Sequence, residues 1–339
     1  MLPRIGISTG DLAGIGPEII YRTLQDARIL RFCTPVVYGT ASTLFDDFPN
    51  DKTHAPLAFR QVREAADIVA GKVNAVTCWD EDFVLTPGQP SEASGRAARL
   101  SLIAAANDLK AGLIDGLVTA PISKDNTQGE GFYFPGHTEF LAHHFSTNND
   151  SLMFLVADNL RVATATGHIP LKDVPTRLTS EVLIGKLRML LHSLRQDFGI
   201  QKPRVAVLGL NPHAGENGLL GSEEQDLVQP VIQQFLNEGH LVYGPYPADG
   251  FFGTRQYQQF DATLALYHDQ GLIPFKTIAF ERGVNFTAGL PVVRTSPDHG
   301  TAYGLAGKFT ADPTSFREAL YLACDLIRNH VADKQPLAG

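Results

Sequence analysis

Three short apolar runs in the second half of the chain each stop at a turn that carries a histidine. Arg161 to Thr166 leads into Gly167-His168-Ile169-Pro170, Arg204 to Leu210 into Asn211-Pro212-His213-Ala214-Gly215-Glu216, and Thr263 to Tyr267 into His268-Asp269-Gln270-Gly271. Runs of this length, partly β-branched and bounded by Gly, Pro and Asn, read as buried strands, and open α/β sheets place ligand groups at the carboxyl ends of their strands. The pattern predicts an α/β fold that presents three imidazoles along one sheet edge. Position alone leaves two readings. The histidines are satisfied independently, or they converge on one ion with an open coordination position, as in a catalytic zinc site. No local spacing such as H-E-x-x-H decides between them.

The third run opens the stretch richest in polar chemistry, Thr263 to Gly304, which holds Lys276, Arg282, Asn285, Arg294, Asp298 and His299 besides His268 and Asp269. Within it Leu290 to Val293 reads as a further strand ending at Arg294, just ahead of the Asp298-His299-Gly300-Thr301 turn. Taken singly, each polar residue reads as an exposed loop position. Together, an ammonium and a guanidinium at strand ends suit an anion, because arginine forks around a carboxylate or phosphate.

The first half alternates in the same way. Arg4 to Ser8 is a strand, and Gly10-Asp11-Leu12-Ala13-Gly14-Ile15-Gly16 is a turn before a helix from Glu18 to Gln25, with Pro17 at the first helical position. Its glycine spacing matches neither a dinucleotide fingerprint nor a P-loop, so a tight turn without ligand stands beside a phosphate cradle. Val36 to Gly39 is a strand, and Asp46 to Pro90 reads as scaffold. Ser91 caps a helix to Ala111 with Gly112 as its stop, and the strand Gly116 to Ala120 follows. Gly136-His137-Thr138 precedes a helical stretch, where imidazole and hydroxyl suit an anion, while His143 and His144 face apart and read as surface or packing residues. Further on, Ser180 caps a helix to Phe198, Ser222 to Asn237 is helical, Gly244 to Gly250 is a loop carrying Asp249, and Asp312-Pro313 caps the last helix.

At 339 residues the chain exceeds what one core usually serves, which predicts two α/β lobes around a cleft. A net charge of -8 without a Lys/Arg cluster speaks against nucleic acid or an anionic membrane and favours a small-molecule partner. With no secretory leader pattern and no spanning apolar run, a cytoplasmic location is expected. Cys33, Cys78 and Cys324 lack pairing or metal spacing and read as reduced thiols.

Read in order, GDLAGIGPE, TAPISK, FPGHTE, ATGHIPL, GLNPHAGE, GPYPAD, YHDQG, FK, GVNFT, GLPVVRTS and DHGTA resemble the 4-hydroxythreonine-4-phosphate dehydrogenase family of pyridoxal phosphate biosynthesis, over nearly the whole chain. The resemblance implies two α/β/α lobes similar to isocitrate and isopropylmalate dehydrogenases, one from 1–140 and 286–339, the other from 141–285. It implies a homodimer with shared active sites, in which His168 and His213 hold a divalent metal (zinc, magnesium or cobalt) and His268 comes from the neighbouring subunit. His137, Thr138, Lys276, Asn285 and Arg294 fall on its substrate-binding positions, and Asp249, Asp269 and Lys276 on its catalytic ones. Gly14, Asp298, His299, Gly300, Thr301 and Ala302 fall where related dehydrogenases hold the cofactor, NAD or NADP.

The implied reaction is oxidation of 4-phosphohydroxy-L-threonine at C3 to a β-keto acid, which decarboxylates to 3-amino-2-oxopropyl phosphate. Leu12 and Gly167 depart from the family pattern, as does Gly250 to Arg255. The last two leave other phosphorylated hydroxy acids open, erythronate or threonate 4-phosphate among them. A phosphate acyltransferase, which needs coenzyme A, and a metal hydrolase are the alternatives of a different class; a binding protein would not need the three histidines.

Overall fold

A computed structural model describes residues 2–40, 57–81, 83–129, 131–145 and 151–333. Of the expected scaffold between Asp46 and Pro90, residues 46–56 and 82 lie outside the described residues. The chain divides into two compact units, Met1–Asn149 with Leu290–Arg328 and Asp150–Gly289 with Asn329–Gly339.

Among the described residues, six strands form the sheet of the first unit: β1 (Arg4–Ser8), β2 (Thr34–Tyr38), β3 (Phe59–Val62), β4 (Val73–Val76), β5 (Gly116–Thr119) and β12 (Arg294–Pro297). Their order is β3-β4-β2-β1-β5-β12, and every pairing is parallel. Parallel strands are covered on both faces, which is why β2 and β5 are buried along their whole length. The helix Glu92–Lys110 begins in a reciprocal capping box between Ser91 and Ser94. Its Leu102, Ala105, Ala106 and Leu109 pack with Val36, Tyr38, Leu117, Phe132 and Phe140. Truncating a buried leucine such as Leu102 would cost about 2–5 kcal/mol.

The second unit holds β6 (Leu152–Ala157), β7 (Leu160–Thr164), β8 (Arg204–Leu208), β9 (Leu241–Tyr246), β10 (Ala262–Ala265) and β11 (Val284–Ala288), in the order β11-β6-β7-β10-β8-β9. β6 is antiparallel to both its neighbours, β11 and β7, and β7, β10, β8 and β9 run parallel. Its core joins Leu155, Val162, Ala206, Leu208, Phe251, Leu272 and Phe275. No helix among the described residues is long and apolar enough to cross a membrane.

Three expectations are corrected. Leu290 to Val293 is not a strand; β12 starts at Arg294, so this arginine opens a strand instead of closing one. Gly244 to Gly250 is not simply a loop, since β9 reaches Tyr246 and Asp249 lies in the first turn of the helix Ala248–Gly253. Thr179, not Ser180, caps the helix Ser180–Gln196, its hydroxyl accepting the Val182 N–H. The helix expected to end at Asn237 does so, its first part being a π-helical turn, Glu224–Val228.

Candidate active site

His168 and His268 meet because their strands are parallel neighbours. The β7–β10 ladder pairs Val162 with Thr263 and Thr164 with Ala265, and it continues beyond the strands as Ala165 N–H to Ala265 O and Thr166 N–H to Leu266 O, at 2.8 and 3.2 Å. Two chains leaving the sheet in step deliver residues of similar register to one place. The rings of His168 and His268 are 5.1 Å apart, centroid to centroid. They line a cavity of about 310 Å³ together with Gly167, Leu171, Tyr267 and Asp269. His268 opens the helix His268–Ala279, and its Nδ1 lies 2.7 Å from Asp269 Oδ1. A carboxylate on one ring nitrogen fixes the tautomer and leaves Nε2 as a lone-pair donor.

His213 stands at the end of the next strand over. β8 pairs with β10 on the side away from β7, and Gln270 ties the strand ends together, its Oε1 accepting Leu266 N–H at 2.7 Å and its Nε2 donating to Gly209 O at 2.5 Å. The chain then turns left-handed: His213, Ala214, Gly215, Glu216 and Asn217 have φ of 53, 51, 80, 42 and 56°. Left-handed backbone costs about 1–2 kcal/mol for each residue with a Cβ, and such outliers concentrate at functional sites. His213 is exposed and does not line the cavity shared by His168 and His268. Among the described residues of one chain no group of three metal-ligating side chains forms. Within one chain His168 and His268 share that cavity, and His213 is not among its lining residues.

In the first unit, Arg294 is 4 % exposed and sits on β12 beside β5. Its Nε and Nη2 donate to Thr119 Oγ1 at 3.1 and 2.7 Å. Burial pushes its guanidinium down to about 10, against the opposing pull of Glu139. His137 opens the helix His137–His144, and its Nε2 is buried without a hydrogen-bond partner among the described residues. Burial, then the charge of Arg294, holds this imidazole well below its ordinary range, so it is neutral at pH 7. A buried cation beside an unsatisfied imidazole and a helix start suits an anion.

Gly14 owes its identity to packing. A Cβ there would lie 2.7 Å from the Thr301 carbonyl, which accepts the Ile15 N–H at 3.0 Å. The first turn and the Asp298 to Ala302 turn are thus pressed together. Asp11, fully buried, completes the joint: it accepts from Ala13 N–H at 2.8 Å and from Asn126 Nδ2 and Tyr303 Oη at 2.7 Å each. Burial and the Asp11 bond push the Tyr303 hydroxyl up to about 12.

Lys276 lies on the same helix as His268, seven residues after Asp269 and so on the same face. Asn285 is on β11, with its Oδ1 buried and without a partner among the described residues. Thr138 is in the first turn of its helix. Arg282 pairs instead with Asp158 at 2.9 Å, while His143 and His144 pack on Phe134 and Phe140. Sequence reasoning missed Thr119, Asn126, Tyr303 and Glu224. Of these only Thr119 has a sequence signal, its place at a strand end before Pro121.

The fold and the chemistry at its strand ends set the class, an α/β enzyme. Residues 31–323 match the family model described as Pyridoxal phosphate biosynthetic protein PdxA. A 4-hydroxythreonine-4-phosphate dehydrogenase of Bacteroides thetaiotaomicron is 45 % identical over 331 residues, covering 98 % of this chain and 90 % of its own. The crystal structure of a protein of the same name from Klebsiella pneumoniae matches with a TM-score of 0.83 at 35 % identity, covering 96 % of this chain and 98 % of its own. A terephthalate 1,2-cis-dihydrodiol dehydrogenase from Burkholderia xenovorans matches over the same shares with a TM-score of 0.64 at 28 % identity. The chain belongs to the PdxA family of pyridoxal phosphate biosynthesis, and it is an oxidoreductase.

Proposed function

We propose that the chain oxidises 4-phosphohydroxy-L-threonine at C3, with NAD or NADP as acceptor and a divalent metal ion at the histidines, to a β-keto acid that decarboxylates to 3-amino-2-oxopropyl phosphate. The observation that carries this reading is the His168–His268 pair with Asp269 on His268 Nδ1. Two imidazoles, one with its tautomer fixed by a carboxylate, fit zinc or cobalt better than magnesium, which prefers oxygen ligands. Two are too few, and His213 is exposed on a neighbouring strand end. A homodimer in which the partner's copy of this turn completes the set accounts for both facts. On this reading His213, not His268, is the residue handed across.

A divalent ion held by the histidines would supply acidification of the C3 hydroxyl, and a bound nicotinamide would supply the hydride acceptor. The chain's own residues do the rest. Asp269, engaged with His268, orients that imidazole, which leaves Asp249 or Lys276 to take the hydroxyl proton. Arg294, braced on Thr119, acts with His137 and Thr138 on an anionic end of the substrate, and Lys276 and Asn285 are the substrate-binding positions of the second unit. Neutral His137 receives an anionic oxygen through an Nε2–H without adding a second buried cation. The Asp298 to Ala302 turn holds the dinucleotide, with Gly14 letting it pack close.

The Burkholderia xenovorans relative favours a second reading, a dehydrogenase of this fold acting on another hydroxylated acid. Reduced-nicotinamide absorbance with 4-phosphohydroxy-L-threonine against erythronate and threonate 4-phosphates decides between them. The proposal expects the highest kcat/KM for the first and no requirement for coenzyme A. Preference for a sugar-acid phosphate would sink it.

A further inference from the structure

The left-handed turn from His213 to Asn217 is tied down by a side chain thirteen residues after Asn211. Glu224 is 1 % exposed and opens the π-helical turn Glu224–Val228. Its Oε1 accepts the Asn211 N–H at 2.8 Å, and its Oε2 accepts Asn211 Nδ2 at 3.0 Å. Asn211 is where the chain enters the turn. In the middle of the turn, Gly215 comes so close that a Cβ would lie 2.6 Å from Glu224 Oε2, with φ at 80°. One carboxyl group therefore grips the entry of the turn and supports its centre. π-Helical turns inside α-helices recur at functional sites because the extra residue shifts a side chain out of the regular pattern.

We propose that Glu224 is a positioning residue for His213, holding the strained turn so that the imidazole is presented outward in one fixed direction. The inference rests on the reading of His213 as a metal-holding residue. Five consecutive left-handed residues, all but Gly215 carrying a Cβ, do not hold that shape on local preference. Asn211 Nδ2 also donates to Glu223 Oε2 at 2.6 Å, so the Asn211 N–H is the donor that rests on Glu224 alone. A glutamine offers one acceptor and an NH2, leaving either the Asn211 N–H or its Nδ2 facing a donor. An aspartate is one methylene short of both.

The test uses the full chain with Co(II) as probe, followed by calorimetric titration and by its visible absorption bands, with thermal unfolding measured alongside. Glu224→Gln is expected to weaken Co(II) binding about 10–100-fold, the range for groups that orient a ligand. It should shift the absorption bands, lower kcat by a similar factor and leave the KM for NAD and the unfolding temperature nearly unchanged. Gly215→Ala should reproduce the effect while keeping the carboxylate, and the double variant should be no weaker than the worse single, since both changes break one unit. It also decides the matter should Glu224→Gln fail to fold. Wild-type Co(II) affinity and spectrum in Glu224→Gln and Gly215→Ala, with both lost in His213→Ala, would overturn the positioning role and leave the metal reading standing. Retained affinity in His213→Ala would instead remove the metal reading itself, and the role of Glu224 with it.

Discussion

His168 and His268 stand with their rings 5.1 Å apart inside one chain, at the ends of two parallel neighbouring strands. That pairing changes which complementation experiment is informative. If His168 and His268 serve one site and the partner's copy of the His213 turn completes it, mixing inactive His168→Ala and His213→Ala proteins under subunit exchange restores activity. One site of each mixed dimer collects both lesions and the other none, by the two-fold symmetry of such an interface. Mixing His168→Ala with His268→Ala should restore nothing, because every site then carries one lesion. Recovery in the second mixture and not in the first would return His268 to the role of donated ligand. Exchange itself is checked by mass labelling.

Arg294→Lys should raise the substrate KM by roughly 10–100-fold, the loss of one charge-assisted hydrogen bond at about 1.5–3 kcal/mol. Arg294 uses Nε and Nη2 on Thr119 Oγ1, and one ammonium does not hold the threonine and a ligand oxygen in the same geometry. A buried lysine also titrates lower than arginine, so the deficit should widen as pH rises. Steady-state kinetics between pH 7 and 9 measure both effects; an unchanged KM would mean that Arg294 only braces β5.

His137 links stability to pH. Its folded-state pKa lies well below 6.5, through burial first and the Arg294 charge second. Below pH 6.5 the unfolded chain therefore binds a proton that the native one refuses, and stability falls as pH drops until the folded imidazole also protonates. His137→Asn should flatten the slope between pH 6.5 and 5 by up to one proton, about 1.4 kcal/mol per pH unit. Urea unfolding at three pH values would show it, and an unaltered slope would contradict the assignment.

Gly14→Ala should destabilise the first unit by about 1–3 kcal/mol, the usual range for overpacking. Its methyl would press on the Thr301 carbonyl at 2.7 Å and loosen the Ile15 N–H bond to it. Because that contact fixes the Asp298 to Ala302 turn, the KM for NAD should rise while the affinity for Co(II) stays put. A rise in neither KM nor unfolding tendency would show that the turn relaxes freely.

Local composition was enough to reveal the buried runs of β1, β5, β7, β8 and β10, the cap at Ser91 and the histidines at three strand ends, because periodicity, turn residues and capping are written in neighbouring positions. It misassigned Arg294, whose preceding Leu290 to Val293 is apolar enough to pass for a strand; only the pairing with Leu117 on β5 puts the strand on the other side of Val293. Which histidines meet was not legible either. His168 and His268 come together through the register of β7 on β10, and His213 is turned away by a left-handed backbone that Glu224 holds from thirteen residues beyond Asn211. Strand order, register and a buried carboxyl group acting across a turn are long-range properties. They are settled when the chain packs, since hydrogen-bond pairing and burial free energy depend on which segments become neighbours and not on the order in which they are written.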